Sequence, residues 1–264
     1  MMNFQDSYEH MDSKIEYSPE SIICSDLYSS VYEFEGCSCE SNCLYDNCSC
    51  LQRSGIKYIF RNQECLESYR MDINTSGKPI YECNRNCNCA IKLCGNKLVQ
   101  CGPRSGLKIK KFCKKGLGLI TNHLIPSGSF VCEYAGRIIT SDMAKRLYPV
   151  YMSKYSMNYI FCINEKFGEN IYRTIIDPTE SGNIGRYINH SCEPNCELII
   201  VRIHNNFPKL CIFAKEKINI GEELSFNYGD TVIEDNQSVG QSIECLCGKM
   251  ECKKFLPFDK YCFE

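Results

Sequence analysis

Short apolar runs fenced by turn residues recur from about residue 104 to residue 234. Gly118–Ile120, Ser129–Tyr134, Tyr159–Ile163, Glu197–Ile203 and Lys209–Ala214 have the length and the β-branched or aromatic content of strands. One segment breaks this rhythm. Ser141–Tyr148 opens on a Ser/Asp cap and meets Pro149, which predicts a short helix that stops there. Many short strands with few helices predict a β-rich domain rather than a doubly wound parallel sheet. Residues 1–36 show little periodicity and are an unassigned lead-in with room for some helix. The stretch between Cys50 and Cys83 reads as a surface excursion. No internal repeat or low-complexity segment interrupts the chain.

Composition narrows the class. The chain has 264 residues, 44% hydrophobic and 23% charged, within the globular range. No apolar run approaches the ~18–20 residues that would span a bilayer, and the amino terminus lacks a basic start with an apolar stretch. A reducing compartment is therefore expected, where 22 cysteines point to metal ligation more than to disulfides. The formal net charge of −2 conceals a front segment, residues 1–50, with ten acids against Lys14. That acidic front argues against nucleic-acid contact there and suits either a basic partner or a plain solvated acidic face. Lys108–Lys115 has the composition of an import or nucleic-acid patch. Its position directly before Gly116 is read as a solvated strand edge, and direct DNA contact is left open.

The cysteines fall in bursts. Cys37, Cys39, Cys43, Cys48 and Cys50 form the first, Cys83, Cys87, Cys89 and Cys94 the second, and Cys245, Cys247 and Cys252 the last. Structural zinc takes four thiolate or imidazole ligands in a tetrahedron. The nine front cysteines allow two separate four-sulfur sites with one left over, or three zincs if three sulfurs bridge. Spacing does not choose between them. Such a module is too small for its own core, so metal would supply its folding energy. The last burst is one ligand short, and Cys192, Cys196 and Cys262 are the candidates to complete it.

Four further motifs occur in a fixed order: Gly116-Leu117-Gly118, Glu133–Gly136, Gly182–Asn195 containing Asn189-His190-Ser191-Cys192, and Gly221–Gly229 containing Glu223-Leu224-x-Phe226-x-Tyr228. Together with the cysteine bursts, the chain resembles the SET-domain protein lysine methyltransferases over about residues 37–256. The nine-cysteine array resembles the pre-SET module, and the Cys245–Cys252 burst the post-SET module. Within the family it resembles the heterochromatin-type group acting on lysine-9 of histone H3.

The resemblance implies a pseudoknotted β fold divided as lead-in 1–36, pre-SET module 37–103, SET catalytic domain 104–234 and post-SET segment 235–264. It implies three zincs on the nine front sulfurs and a fourth on Cys192, Cys245, Cys247 and Cys252, with Cys196 a bystander. It places Tyr228 at the methyl-transfer point and Tyr134 in the lysine channel. S-adenosylmethionine would be held by Asn189 and His190, aided by Arg186, Tyr159 and the Gly116–Leu117–Gly118 backbone, with Phe255 closing over it. Phe226 falls at the family's Phe/Tyr switch and implies di- or trimethylation. Leu117 stands where the family has Trp, Arg137 where it has an acid, and Lys254 where a glycine is frequent; the Cys89–Cys94 gap is one residue longer than usual.

Such chemistry needs a neutral lysine amine aligned with an electrophilic methyl, and no pair of acid–base carboxylates. The expected partners are the histone H3 tail or nucleosome and chromatin-targeting proteins, with no membrane, in the nucleus on chromatin. The rival readings are a catalytically silent SET fold that binds chromatin and a methyltransferase for another histone or a non-histone lysine.

Overall fold

The computed structural model describes residues 6–40, 43, 47–54, 58–60, 69–71, 79–89, 94–229 and 243–258. Cys65 and Cys262 lie outside them, as does the boundary expected at residue 234. Along the chain run β1 (Glu16–Tyr17), β2 (Ile22–Ile23), a 3-10 helix (Ser25–Ser30), α1 (Ser49–Arg53), β3 (Tyr58–Phe60), β4 (Tyr69–Met71) and β5 (Ile80–Tyr81). The body follows with β6 (Leu107–Phe112), β7 (Gly116–Thr121), β8 (Phe130–Glu133), β9 (Gly136–Ile139), α2 (Ser141–Tyr155), β10 (Phe161–Phe167) and β11 (Asn170–Gly182). A 3-10 helix (Ile184–Tyr187) leads into β12 (Asn189–His190), and β13 (Cys196–Arg202), β14 (Lys209–Ala214) and β15 (Ser225–Phe226) complete the order. Every strand expected from the apolar runs is present, and the fold is β-rich as read.

The strands form small sheets instead of one large one. β1, β11, β9 and β2 pair in that order with β10 also on β11, while β5, β13, β14 and β8 form a second sheet. β6–β7 is a separate hairpin, and β12 pairs β15 in parallel. The last pair joins residues 36 positions apart at their facing registers, Asn189 with Ser225 and His190 with Phe226. Leu119, Ile125, Ile176, Ile188, Ile212 and Leu224, all fully buried, form the main core between these sheets.

Three sequence expectations need correction. α2 does not stop before Pro149 but runs to Tyr155, and its cap is Thr140, whose side chain accepts from the Met143 N–H at 3.2 Å. Proline removes one helix bond, but Ala144 and Tyr151 bury on one face and the Tyr151 hydroxyl bonds Asp177 at 3.0 Å. Tertiary packing thus outweighs a local cost of about 3 kcal/mol. Ser156, left-handed at φ 52°, ends the helix.

The lead-in is structured over residues 6–36. β1 adds in parallel to β11, β2 adds in parallel to β9, and its one helical stretch is the six-residue 3-10 turn. Two polar clamps tie it down. Tyr8 donates to the Arg104 carbonyl at 2.6 Å, and Lys209 bonds both Glu20 at 2.9 Å and buried Glu133 at 2.8 Å. The excursion is also not wholly superficial. Tyr58 is buried beside Ile80, Val201 and Phe213, and its hydroxyl donates to buried Glu82 at 2.7 Å.

Candidate active site and metal centres

Two glycines shape the wall nearest β7. Gly116 turns the β6–β7 hairpin at φ +73°, a conformation that side chains with a Cβ resist. Gly118 serves by its bareness: a Cβ there would lie 2.7 Å from Asn189 Nδ2. Asn189 therefore approaches β7 closely, and its Nδ2 donates to the Leu117 carbonyl at 3.3 Å and to Glu223 Oε1 at 2.9 Å. Lys115 holds the other oxygen of Glu223 at 2.5 Å. Both Nδ2 protons are engaged, so Oδ1 remains to accept from a ligand.

Every catalytic or cofactor residue expected from the sequence, apart from Gly118 and Phe255, lines one cavity of about 1060 Å³. Four aromatic rings meet on one side. Phe226, fully buried, packs 5.8 Å from Tyr134, 6.1 Å from Phe161 and 4.9 Å from Tyr228, centroid to centroid. The two hydroxyls are fixed: Tyr134 donates to the Tyr159 carbonyl at 2.7 Å and Tyr228 to the Ile188 carbonyl at 2.9 Å. Burial pushes both phenols well above their ordinary pKa, so both are protonated in neutral solution. Their oxygens can accept hydrogen bonds but cannot serve as bases.

Arg186 supplies the cavity's buried cation. Its guanidinium stacks 4.4 Å from the Tyr159 ring centroid and donates to the Pro178 and Thr179 carbonyls at 3.0 and 3.4 Å. Among the described residues no carboxylate pairs with it. A buried charge without a counter-ion is costly, and persists where a ligand supplies the opposite charge. Buried Arg186 and the unmet Asn189 oxygen thus fit the carboxylate and amino group of an amino-acid cofactor.

His190 joins this cavity to a group of four cysteines that could hold a metal ion. The Tyr228 N–H donates to its Nδ1 at 3.1 Å, which puts the ring proton on Nε2, 3.4 Å from Cys192 Sγ. Burial lowers the His190 pKa to about 4, so the ring is neutral. Cys192, Cys245, Cys247 and Cys252 place their sulfurs within 4.8 Å of one another, and Cys192 and Cys245 are 3.8 Å apart. A tetrahedron of thiolates at 2.3 Å from zinc has sulfurs about 3.8 Å apart. Backbone N–H groups of Lys253 and Lys254 point at Cys192 and Cys252, as thiolates require.

The front cysteines form overlapping groups. Cys37, Cys48, Cys50 and Cys83 make one, Cys37, Cys39, Cys43 and Cys48 a second, and Cys37, Cys43, Cys83 and Cys89 a third. Sulfurs common to several groups suit a bridged cluster better than two isolated tetrahedra. Cys87, 3.7 Å from Cys50, accepts backbone N–H bonds from Cys37 and Asn84. Cys94 is buried in the same cluster. Cys196, expected to be a bystander, is buried in the main core and outside every four-sulfur group among the described residues.

Phe255 is not brought to the cavity. It is 51% exposed and forms a bridge with Glu244, while Leu256, Pro257 and Phe258 line the wall. Lys254 adopts φ +68°, and past this turn it is Leu256, Pro257 and Phe258, not Phe255, that line the wall. Sequence reading missed Phe161, whose signal was its place two residues beyond Tyr159 in an alternating strand. It also missed Glu223 and the lead-in residues Asp12, Lys14 and Ile15 at the cavity rim.

Comparison with known proteins follows the same lines. A family model described as SET domain matches residues 116–229, and one described as Pre-SET motif matches residues 1–97. The probable histone-lysine N-methyltransferase set-23 of Caenorhabditis briggsae is 40% identical over 229 residues, covering 85% of this chain and 88% of the relative. The methyltransferase domain of human histone-lysine N-methyltransferase SETMAR superposes with a TM-score of 0.76 at 35% identity, covering 95% of this chain and 91% of that one. KRYPTONITE, solved with mCHH DNA, an H3(1-15) peptide and SAH, has a TM-score of 0.73 at 27% identity, covering 92% of this chain and 48% of that one.

Proposed function

The chain belongs to the SET-domain family and is a histone-lysine methyltransferase, and from that premise we propose that it di- or trimethylates lysine-9 of histone H3 with S-adenosylmethionine. The observation that carries the cofactor half is buried, unpaired Arg186 opening on the same cavity as the four-ring cage. The H3 peptide and SAH bound to KRYPTONITE support the substrate and cofactor classes. Heterochromatin silencing in the nucleus is the setting this activity would have.

When bound, S-adenosylmethionine supplies an electrophilic methyl group on a positively charged sulfur. Arg186 would bind its carboxylate, and Asn189 Oδ1 its amino group, with Tyr159 and the Gly116–Gly118 edge as the remaining walls. The lysine side chain would enter between Tyr134, Phe161, Phe226 and Tyr228. A free lysine has a pKa near 10.4, so only about one in a thousand is neutral at pH 7.4. The apolar cage excludes water and disfavours the ammonium form, which raises that fraction. With both hydroxyl protons committed to carbonyls, the Tyr134 and Tyr228 oxygens would accept from the amine and hold its lone pair in line. Phe226 carries no hydroxyl to hold water beside the amine, which leaves room for added methyls.

The metal residues have a structural part. The nine front sulfurs would carry three bridged zincs, and Cys192, Cys245, Cys247 and Cys252 a fourth, bounding modules near residues 37–103, 104–234 and 235–264. The test is direct. Zinc-loaded protein is incubated with histone octamer and labelled S-adenosylmethionine, and the modified lysine is mapped by mass spectrometry. Label on lysine-9 of H3 is expected; label confined to another histone lysine, or to a non-histone substrate in a lysate, would overturn the substrate.

A further inference from the structure

Lys108–Lys115 holds five lysines and no acid in a chain whose formal net charge is −2. They occupy β6 and the turn into β7. Lys108, Lys110, Lys111 and Lys114 are exposed, and among the described residues none of these four has an acidic partner; Lys115 alone pairs, with Glu223. Within the described residues β6 pairs as a strand only with β7, and beyond Leu107, whose N–H donates to Tyr8 Oη at 2.9 Å, its outer edge is open. Leu107 and Ile109 face the core, which leaves Lys108 and Lys110 on the opposite face. They stand about 6.6 Å apart along the strand. A regular row of cations on one face suits the regular row of phosphates of duplex DNA.

Position and order strengthen the match. Phe112 lies between two of the cations, with Lys110 Nζ 5.5 Å and Lys115 Nζ 5.4 Å from its ring centroid, which gathers the ammonium heads before any partner arrives. Lys114 and Lys115 line the rim of the substrate cavity. The basic strip therefore runs outward from the site. Guarding an open strand edge is served by a charge or two. An unbroken single-sign strip that continues round the turn to the active site is instead a field suited to a regular polyanion. A histone lysine is presented beside such a polyanion, because histone octamers are wrapped in duplex DNA.

We propose that β6 and its turn form a contact surface for duplex DNA, through which the enzyme grips nucleosomal DNA beside the histone tail it modifies. The choice of a nucleosomal setting rests on the function proposed above; the DNA contact does not. The test uses the full chain and its K108Q/K110Q/K111Q variant, leaving the cavity residues Lys114 and Lys115 intact. Anisotropy with a short duplex and with nucleosome core particles is followed from 50 to 200 mM salt. Loss of the two phosphate contacts of Lys108 and Lys110, which share one face, lowers the slope of log K against log salt by about 1.8, so the wild type loses about 12-fold more affinity over that range. On nucleosomes KM rises in the variant, while kcat/KM on an H3 peptide stays unchanged. K108R/K110R/K111R, which keeps the charge, restores both binding and KM. An unchanged salt slope would overturn the proposal. So would equal losses on peptide and nucleosome, or losses confined to single-stranded RNA or an acidic peptide. Absence of peptide methylation by the wild type would refute the proposed reaction while leaving the duplex measurement intact.

Discussion

Arg186→Met separates cofactor recognition from folding in one substitution. Methionine keeps an unbranched stem to pack on Tyr159 and Tyr187 but removes the cation. In the free protein the guanidinium is 7% exposed, donates two bonds to backbone carbonyls and meets no carboxylate among the described residues. Those two charge-assisted bonds are worth about 1.5–3 kcal/mol each. Burying an unpaired ion costs several kcal/mol, so its removal offsets them. The Tm of the cofactor-free variant is expected to equal or exceed that of the wild type.

Cofactor binding moves the other way. Removing one member of a buried, hydrogen-bonded charge pair costs about 2–5 kcal/mol. SAH affinity, measured by calorimetry, should therefore fall by roughly 30- to 4000-fold. 5′-Methylthioadenosine lacks the amino-acid end, and its weaker binding should not change. An SAH affinity within about fivefold of wild type, or equal losses for both ligands, would refute the assignment of Arg186 to the carboxylate.

Three further outcomes are expected. Phe226→Tyr adds a hydroxyl among Tyr134, Phe161 and Tyr228, where it would hold water in the space of the second methyl. Mass spectrometry should show trimethyl product down by tenfold or more, about 1.4 kcal/mol in barrier, and an unaltered product distribution would sink the reasoning. Cys252→Ser should release about one zinc per chain by elemental analysis and abolish methylation while the front cluster keeps its metal; surviving activity would remove the tail's role in closing the site. His10 bonds Tyr187 Oη at 3.0 Å and the Gly182 carbonyl at 2.9 Å, and burial lowers its pKa below 6.5. The unfolded strap then binds more protons than the folded one as pH drops below 6.5, so stability is full above that value and declines beneath it. Hydrogen exchange at residues 8–17, corrected for intrinsic rate, should speed up from pH 7.5 to 5.5; a flat profile would exclude the coupling.

What was legible in the sequence follows from how local each cause is. β13 and β14 announce themselves because continuous apolar runs rich in β-branched residues need only a core to become strands. The post-SET sulfur group was legible as a shortage, three cysteines seeking a fourth, and family order pointed to Cys192. α2 passed Pro149 because Tyr151 anchors to Asp177, a contact 26 residues away that no local signal carries. The lead-in was opaque for the same reason: Glu20 and Ser21 are held by Glu133 and Lys209, far along the chain. Phe255 stands outside the cavity wall, past the left-handed Lys254, and Leu256, Pro257 and Phe258 line it instead.

The cysteine-rich tail and Tyr228 are linked through the sulfur group, because beyond contacts such as the Glu251 N–H with Glu193 and Phe258 with Tyr148 the tail has little core to hold it. Within residues 243–258 only Cys245 is buried, yet Ile243, Leu246 and Leu256 wall the cavity. A segment so poor in core cannot fix three wall residues by apolar burial, so four sulfurs must do it. One of those sulfurs, Cys192, meets the Nε2 edge of His190, whose Nδ1 fixes the backbone of Tyr228. Keeping His190 neutral lets one ring accept on one side and donate on the other. The His190 ring is thus oriented from the four-sulfur side, and the Tyr228 backbone takes its position from that ring while its hydroxyl is held by the Ile188 carbonyl. The placing of the tail and the placing of Tyr228 are therefore coupled through His190.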